Sequence, residues 1–359
     1  MFLQLIRLGI GQAEPNDIQL PATVDWKELT AMALRHSLSA VLMDAYLALS
    51  KAGLLEGGRA MDEDSFLYWT GVTMYAFERR YRAHRDAMAH LAAFYNTHGF
   101  KMMVLKGYGC NQTWPVPEHR PCGDIDIWNF GLYREADAAL SEAFGIEVSN
   151  GHHHHTVFRF EDILVENHYD FVNVHLSRSG AEIERVFKEL AMDDRFSTDV
   201  NGARVYLPSP DLGGLFQLRH ALTHFAAVGI NVRHVLDWGF YVKRYTGEMN
   251  WDWQREMMER FQMTEFYSCL CAVCVEELGF DPAIFPGCTS CPEQKDRMLE
   301  DILHPGYGQP VPAKLLPRLA FKFRRWRENA WKRKMCYREN QLAAFLSSLW
   351  SHLLKPADI

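Results

Sequence analysis

Apolar side chains are spaced differently in three successive parts of the chain. In residues 1–95 they recur every three or four positions, as on helices with one buried face. One such pattern runs from Trp26 to Gly53, and a second runs from about Asp64 to His98. We therefore predict an N-terminal helical region over residues 1–95.

Short apolar or alternating runs, which are typical of strands, begin after residue 96. They alternate with segments of helical spacing, and a turn at Glu161-Asp162 separates the last two runs. The predicted order is a strand, a short helix, a strand, a helix and a two-stranded hairpin, over 101–105, 108–113, 124–130, 134–145, and 154–160 with 163–171.

From about residue 208 the helical pattern returns and continues to the end of the chain. The predicted fold class is therefore α+β, with a small mixed-sheet core over 96–207. An N-terminal helical region (1–95) and a C-terminal helical domain (208–359) would flank this core. A chain of 359 residues is long enough for about two or three ordinary domains, so the division suits its size.

Composition and charge narrow the class of protein only slightly. Apolar residues make up 48% and charged residues 23%, which is ordinary for a globular protein. The net charge of −7 argues against a surface that binds nucleic acid everywhere, although a local basic face is compatible with it. We find no signal-peptide pattern, no apolar run of about 18 residues, and too few cysteines for a disulfide scaffold. We expect a cytoplasmic protein without a membrane span.

The segment GDIDIW (123–128) carries the first candidate chemistry. Because side chains at i and i+2 of a strand share a face, Asp124 and Asp126 should lie together while Ile125 and Ile127 face the core. Two carboxylates about 4 Å apart repel by roughly 4 kcal/mol at an effective dielectric near 20, so a cation or a shifted pKa must offset the repulsion. Oxygen ligands of this kind suit Mg²⁺.

Further residues could complete a site around this segment. Lys106 and Gly107 end the first strand, where a glycine lets a phosphate approach the backbone and a lysine supplies a cation. Arg120 could neutralise another phosphate oxygen, and Gly123 adjoins the first carboxylate. Glu166 lies on a later strand that could pair beside the aspartates. There it would complete a metal site or take a proton from an attacking hydroxyl.

These pieces resemble a known family. LKG, then R-x-x-GDIDIW, then a histidine-containing strand and VENH are similar to the uncharacterised nucleotidyltransferase family of the NTP_transf_5 type, within the polymerase-β-like superfamily. The segments LQLIRLGIG, ALRHSLSAVLMDAYLAL and NVRHVLDWGF also look like that family, so the resemblance covers most of the chain. It implies that the core over 96–207 is a nucleotidyltransferase core.

The resemblance also implies roles for particular residues. Asp124, Asp126 and Glu166 would be the catalytic carboxylates and the ligands of Mg²⁺ (or Mn²⁺), with an NTP as substrate. Gly107 would stand at a phosphate-binding turn with its preceding lysine beside it. The chain departs from the superfamily pattern in two ways. Tyr108 stands where the superfamily has serine, so one expected phosphate contact is missing or is supplied by Lys106. The third acid is glutamate rather than the commoner aspartate.

The leading interpretation is a metal-dependent enzyme that moves a nucleoside monophosphate from an NTP to an unknown acceptor hydroxyl on a small molecule, a protein or RNA. Two alternatives stay open. One is a catalytically inactive nucleotide- or protein-binding module with the same fold. The other is a toxin-like transferase that acts on tRNA or protein.

Two groups of histidines lie outside this set of residues. The run 152–155 could place His153 and His155 beside Glu166 or His168 in a metal site, although solvated or cleft-lining histidines are the simpler interpretation. His220 and His224 share one helix face, but no third metal ligand is evident near them, so they are interpreted as core or cleft-lining residues.

Two charged features complete the analysis. Asp237 lies one helical turn after Arg233 and is interpreted as its structural partner. The segment 314–338 is strongly basic and interleaved with aromatic residues, which suits RNA, an anionic membrane surface or simply a solvated helix packed on the body. The cations that could contact nucleic acid are Arg324, Arg325, Arg327, Lys332, Arg333 and Lys334.

Overall fold

A computed structural model describes residues 1–151, 154–174, 179–289, 291–304, 312 and 314–337. The described α-helices are α1 Phe2–Gly9, α2 Trp26–Arg35, α3 Ser39–Lys51, α4 Glu63–Val72, α5 Arg79–Thr97, α6 Tyr108–Asn111, α7 Tyr133–Phe144, α8 Gly180–Ala191, α9 Pro210–Ala227, α10 Val232–Tyr245, α11 Trp251–Arg260, α12 Thr264–Ala272, α13 Pro292–Leu303, α14 Leu315–Glu328 and α15 Ala330–Tyr337. The described strands are β1 Met103–Val104, β2 Ile125–Trp128, β3 His155–Phe160, β4 Ile163–His168, β5 Ser197–Val200 and β6 Ala203–Tyr206. Within these ranges, every helix is too short or too polar to cross a lipid bilayer.

The described strands form one mixed sheet in the order β3-β4-β2-β1-β6-β5. β2 runs parallel to β4, and β1 runs parallel to β6, whereas the other neighbouring pairs are antiparallel. Helices precede, interrupt and follow these strands along the chain. The predicted α+β class, with a mixed sheet flanked by helices, is therefore confirmed.

Alternation along β2 separates the two faces of the sheet. Ile125 and Ile127 are buried in a core shared with α5 and α7. Trp128 belongs instead to a larger core that also contains residues of α1, α3, α9 and α10. Because Asp126 lies two residues before Trp128, it points to the same face as that tryptophan. The predicted alternation along this strand therefore points the carboxylate of Asp126 towards the flanking helices.

The predicted order of elements in the core is confirmed from β1 to the hairpin of β3 and β4. Gly145 ends α7 with a left-handed φ of 66°, as expected for a glycine that terminates a helix. The structure adds a second hairpin, β5 with β6, that the sequence pattern does not indicate. β5 reads STDV and β6 reads ARVY, and neither keeps the strict alternation of apolar and polar residues that predicts a strand.

The apolar pattern between Trp26 and Gly53 is divided into two helices. α2 ends at Arg35 and α3 begins at Ser39. Between them Ser37 adopts a φ of 57°, a left-handed conformation that a right-handed helix does not permit. Because neither glycine nor proline marks this break, helical spacing alone does not locate it.

A tight turn at Glu161-Asp162 joins β3 to β4, as predicted. The two residues have φ values of 49° and 64°, and a two-residue type I′ turn requires positive φ at both positions. The hairpin pairs His155 with His168. Since side chains two residues apart on a strand share a face, Glu166 lies on the same face as His168.

The described part of the basic segment lies mainly in α14 and α15, and its cations are not equivalent. Lys332 is 2% exposed, and its ammonium lies 2.5 Å from Asp301 and 5.1 Å from the ring centre of Phe225. The prediction that Lys332 could contact nucleic acid is therefore wrong, because its charge is buried and paired. Of the cations named above for a nucleic-acid contact, Arg324, Arg327 and Lys334 are exposed.

Candidate active site

The strands that carry the predicted acids are neighbours. β2 and β4 pair in parallel, with Asp126 directly opposite Glu166. Residues paired across adjacent strands point to the same face, so the two carboxylates lie side by side. Asp124 precedes β2 and is partly exposed. The prediction that the strand of Glu166 pairs beside the aspartates is confirmed.

Asp126 is the most deeply buried of these three acids, with 1% of its side chain exposed. Its Oδ1 atom lies 2.8 Å from the ammonium of Lys106 and 3.0 Å from Nε2 of His168. Its Oδ2 atom is buried and has no hydrogen-bond partner in the described part of the chain. A buried acceptor without a partner costs about 1–3 kcal/mol, so this oxygen is available to a ligand that would offset the cost.

The neighbouring carboxylates have opposite pKa shifts. Burial would raise the pKa of Asp126, but the charge of Lys106 and the contact with His168 outweigh burial and hold the pKa well below its usual range. Burial raises the pKa of Glu166 to about 7, and the charges of Asp126 and Asp124 add to that rise. One lysine therefore faces three carboxylates, and the site carries more negative charge than its own cation neutralises.

The predicted phosphate-binding turn passes directly against the first aspartate. Gly107 has φ 65° and ψ −111°, a conformation that other residues adopt only with strain. A Cβ atom added at Gly107 would lie 3.2 Å from the carbonyl oxygen of Asp124. Tyr108, which replaces the serine of the superfamily, stacks its ring on Tyr81 with 6.0 Å between the ring centres. The turn thus brings glycine and carboxylate together, while the tyrosine packs against the protein.

Arg120 is buried in an ion pair with Asp237. Its Nε and Nη2 atoms donate to the two oxygens of Asp237 at 2.6 and 3.0 Å, and its Nη1 donates to Oδ1 of Asn111 at 2.9 Å. Asp237 also accepts from Trp114 Nε1 at 2.9 Å and from Arg233 at 3.2 Å, which confirms the predicted pairing with Arg233. Each guanidinium nitrogen of Arg120 donates to at least one of these partners, so the protein itself fixes the orientation of this side chain.

A cavity of about 400 Å³ opens between the Gly107 turn and helices α9 and α10. Its volume lies within the range typical of small-molecule sites. The charged residues that line it are Lys106, Arg120, Arg233, Asp124, Asp126 and Asp237. Three cations thus face three carboxylates, so the lining has no net charge. Of the described residues, Gly123 also contributes to the lining, whereas Glu166 does not.

Histidines of α9 complete the wall of this cavity. His220 Nε2 lies 3.0 Å from Lys106 Nζ and 3.1 Å from His224 Nε2. Burial lowers the pKa of His220 well below its ordinary value, and the charge of Lys106 lowers it further. Burial likewise lowers the pKa of His224 to about 4. Both rings are therefore neutral near pH 7, and the cleft-lining interpretation from the sequence is confirmed.

Asp126, Glu166 and His168 could together hold a metal ion. Each offers one ligand atom, and the three atoms lie within 4.8 Å of one another. This donor set, together with the partnerless Oδ2 of Asp126, fits a divalent cation. Asp124 lines the adjacent cavity but is outside that group. The sequence suggests His168 only as a partner of the histidine run and not as a ligand beside Asp126, which the fold brings next to it.

The histidine run before β3 contributes to a second cluster. His154, His155 and His168 also offer ligand atoms within 4.8 Å of one another. Burial lowers the pKa of His154 to about 2, so this ring is neutral at ordinary pH. His152 and His153 lie outside the described residues, so the prediction for His153 stays a prediction.

The fold and the site together define the class of protein. Paired aspartates beside a glycine turn, with a third acid on the adjacent strand of a mixed sheet, are the features expected of a polymerase-β-like nucleotidyltransferase core. The chain belongs to the uncharacterised nucleotidyltransferase family, whose sequence profile matches residues 22–279. Membership of this family supports a nucleotidyltransferase-like function.

Comparison with individual proteins adds little to this assignment. This chain is similar in structure to an antigenic nucleotidyltransferase-like protein from Paracoccidioides brasiliensis. The similar region covers 44% of this chain and 75% of the other, with 14% sequence identity and a TM-score of 0.33. A TM-score of that size carries no argument about function. No curated protein matches the sequence.

Proposed function

We propose that this chain is a metal-dependent nucleotidyltransferase that moves a nucleoside monophosphate from an NTP to an acceptor hydroxyl. The observation that carries the proposal is the position of Glu166 directly opposite Asp126 on parallel strands, with Lys106 in contact with Asp126. The phosphate-binding turn at Gly107 lies against the same carboxylate segment. Membership of a nucleotidyltransferase family supports the same chemistry.

The triphosphate would occupy the cavity beside Lys106 and Gly107. Lys106 would contact a phosphate oxygen, and Gly107 and Gly123 would let the phosphates approach the backbone. Because the cavity lining has no net charge, an NTP would need an additional cation to enter it. Mg²⁺ or Mn²⁺ held by Asp124, Asp126 and Glu166 would lower the charge repulsion that the attacking hydroxyl meets.

Glu166 would take the proton of the acceptor hydroxyl. As the hydroxyl oxygen forms its bond to the α-phosphorus, the bond from that phosphorus to the bridging oxygen breaks, and pyrophosphate leaves with the electron pair.

Arg120 would act through the shape of the turn rather than by touching phosphate. Its Nη1 donates to the carbonyl oxygen of Gly107 at 3.4 Å and to Asn111, while the rest of the guanidinium holds Asp237. We therefore propose a positioning role for Arg120. It would link the phosphate-binding turn to α10, so that the turn and the helical wall of the cavity keep a common geometry.

One observation favours a second candidate, a nucleotide-binding module without catalysis. Lys106 already neutralises Asp126 at 2.8 Å, and such an internal ion pair can satisfy a carboxylate without metal. This alternative predicts NTP binding that does not depend on divalent cations. It also predicts that no pyrophosphate is released and that Glu166→Gln leaves nucleotide affinity unchanged.

The test uses ATP, GTP, CTP and UTP labelled on the α-phosphate, with Mg²⁺ or Mn²⁺. Separate RNA, protein and small-molecule fractions of a cell extract would serve as acceptors. We expect label transfer and pyrophosphate release with the unaltered chain, and neither with Asp124→Ala. Asp252→Ala is the matched control, because this side chain is 89% exposed on α11. The proposal would be excluded if label transfer and pyrophosphate release by the unaltered chain did not require a divalent metal and were also unchanged in Asp124→Ala.

A further inference from the structure

His168 ends β4 with both ring nitrogens close to oxygen atoms. The side chain is 3% exposed. Its Nδ1 lies 3.2 Å from the backbone carbonyl oxygen of Asp170, and its Nε2 lies 3.0 Å from Oδ1 of Asp126. A carbonyl oxygen can only accept a hydrogen bond, so Nδ1 carries a proton in this arrangement.

In the charged ring Nε2 donates to the carboxylate oxygen of Asp126, whereas in the neutral ring Nε2 presents a lone pair to it. Two acceptor atoms 3.0 Å apart repel each other unless a proton or a metal ion lies between or beside them. Lys106 already donates to the same Oδ1 atom of Asp126 at 2.8 Å. A proton or a metal ion at Nε2 of His168 would therefore lie close to the ammonium of Lys106, on the same oxygen of Asp126.

Two more acceptor atoms lie close by. Glu166 Oε2 is 3.8 Å from Nε2 of His168. Asp126 Oδ2 is buried and has no hydrogen-bond partner within the described ranges. Lone pairs of one nitrogen and two carboxylates thus converge within 4.8 Å, at a place where the protein itself leaves one buried oxygen unsatisfied.

We infer that His168 is a metal ligand beside Asp126 and Glu166, so that this centre selects a first-row transition-metal ion such as Mn²⁺ over Mg²⁺. Imidazole nitrogen suits the transition metals, whereas Mg²⁺ prefers oxygen ligands only. Histidine ligands commonly donate their second ring N–H to a backbone carbonyl, as Nδ1 of His168 does to Asp170. The inference rests on the proposed function in one respect, since both require a metal at Asp126.

The competing explanation is an imidazolium that only forms an ion pair with Asp126. In that arrangement His168 would carry a proton on each nitrogen and could not bind a metal. Metal would then be held by carboxylates alone, and Mn²⁺ would show no contact with nitrogen. A spectroscopic measurement of the Mn²⁺ environment separates the two arrangements directly.

The experiment uses the full chain after removal of metal with a chelator. Mn²⁺ and Mg²⁺ affinities are measured by titration, and electron spin-echo envelope modulation of bound Mn²⁺ reports nitrogen ligands. We expect nitrogen modulation in the unaltered protein and an Mn²⁺ affinity at least about tenfold above that for Mg²⁺. His168→Ala should abolish the modulation and weaken Mn²⁺ binding by about tenfold or more.

His155→Ala tests the neighbouring candidate ligand, and His90→Ala is the matched control, because the His90 side chain is 63% exposed and belongs to neither group of potential ligands. Both variants should keep the modulation. The inference is overturned if the unaltered protein shows no nitrogen modulation, or if the modulation survives His168→Ala and disappears in His155→Ala. Crystals of the unaltered protein soaked in Mn²⁺ give a second measurement if His168→Ala does not fold. An anomalous peak at bonding distance from Nε2 of His168 is expected, and a peak away from it overturns the assignment.

The outcome is distinguishable from that of the proposed function. Nitrogen modulation without nucleotide transfer from any NTP would support the metal ligand and contradict the transferase. Nucleotide transfer with Mn²⁺ bound only through oxygen would support the transferase and contradict the role of His168.

Discussion

Two buried carboxylates line the same cavity and differ in how completely the protein satisfies them. Asp237 accepts from Arg120 through both oxygens, and also from Arg233 and Trp114. Asp126 has its contacts on one oxygen, while the other has no hydrogen-bond partner in the described chain. Burial is comparable, since the two side chains are 11% and 1% exposed.

The difference separates a structural ion pair from a functional centre. At Asp237 the two oxygens and the two arginines satisfy each other, so no ligand is required to stabilise the charge. At Asp126 the opposing Glu166 adds negative charge, and burial raises the pKa of that glutamate to about 7. A buried polar atom left without a partner calls for an explanation, and a bound cation is the one that the donor set supports.

The largest effect should follow from removing the charge at Asp126 while keeping its shape. Asp126→Asn should lower the rate of pyrophosphate release by about a thousandfold or more, because metal-assisted stabilisation of charge is worth several kcal/mol. Asp237→Asn should act chiefly on the free energy of unfolding instead. Steady-state rates and urea denaturation of both variants make the comparison. Equal loss of activity at equal stability in the two would remove the distinction between the two carboxylates.

Local signals were enough to predict the carboxylates and the strands that carry them. The alternation in DIDIW sets the face of Asp126, and the two-residue turn at Glu161-Asp162 sets the register of the strand carrying Glu166. The helix end at Gly145 was predictable for the same reason, since glycine tolerates the left-handed φ found there. Each of these features depends on residues close together in the chain.

Partners that are distant in the chain could not be predicted in this way. The sequence suggests a phosphate contact for Arg120. In the fold this side chain pairs with Asp237, which is 117 positions away, and local spacing does not reveal such a distant partner. Likewise His220 contacts Lys106 across 114 positions, and spacing within α9 reveals only that His220 and His224 share a face. The satisfied and the open carboxylate therefore look alike in the sequence, and only the fold distinguishes them.

The next effect tests whether the Arg120–Asp237 pair is structural. Arg120→Met should lower the free energy of unfolding by about 3–5 kcal/mol, since it leaves a buried carboxylate with less of its compensating charge. Adding Asp237→Leu should recover part of that loss, because the uncompensated charge is then also removed. Urea denaturation of the single and double variants measures the coupling. As a control, Arg244→Ala breaks an exposed pair with Glu248 and should cost less than about 1 kcal/mol.

A smaller effect concerns a buried histidine outside both carboxylate centres. Burial, with the charge of Arg35, lowers the pKa of His36 from 6.5 to about 4, and the Val232 N–H donates to its Nδ1 at 3.4 Å. The folded state thus favours the neutral ring, and unfolding takes up a proton between these two pKa values. The contribution is fully present above pH 6.5 and is lost as the pH falls towards 4.

At about 1.4 kcal/mol per pKa unit, this loss amounts to about 3 kcal/mol at most. The measurement is the free energy of unfolding of the unaltered chain and of His36→Gln between pH 7 and pH 4. Subtracting the two removes the titration of other groups, so the difference should show the predicted slope. If the unfolding free energies of the unaltered chain and of His36→Gln changed in parallel with pH, the protonation of His36 would not be coupled to folding.

The smallest effect tests whether the open centre depends on the shape of its turn. Gly107→Ala should lower the free energy of unfolding by about 2 kcal/mol, because the residue has a φ of 65° and its Cβ would lie 3.2 Å from the carbonyl oxygen of Asp124. Gly109→Ala is the matched control in α6, where the nearest atom would be 3.7 Å away, so stability should be kept or rise by up to about 1 kcal/mol. Metal affinity should fall in Gly107→Ala only, since that methyl group displaces the backbone carrying Asp124. If both variants bound metal equally well, the carboxylate centre would be independent of the turn, and the link between Gly107 and the metal site would have to be abandoned.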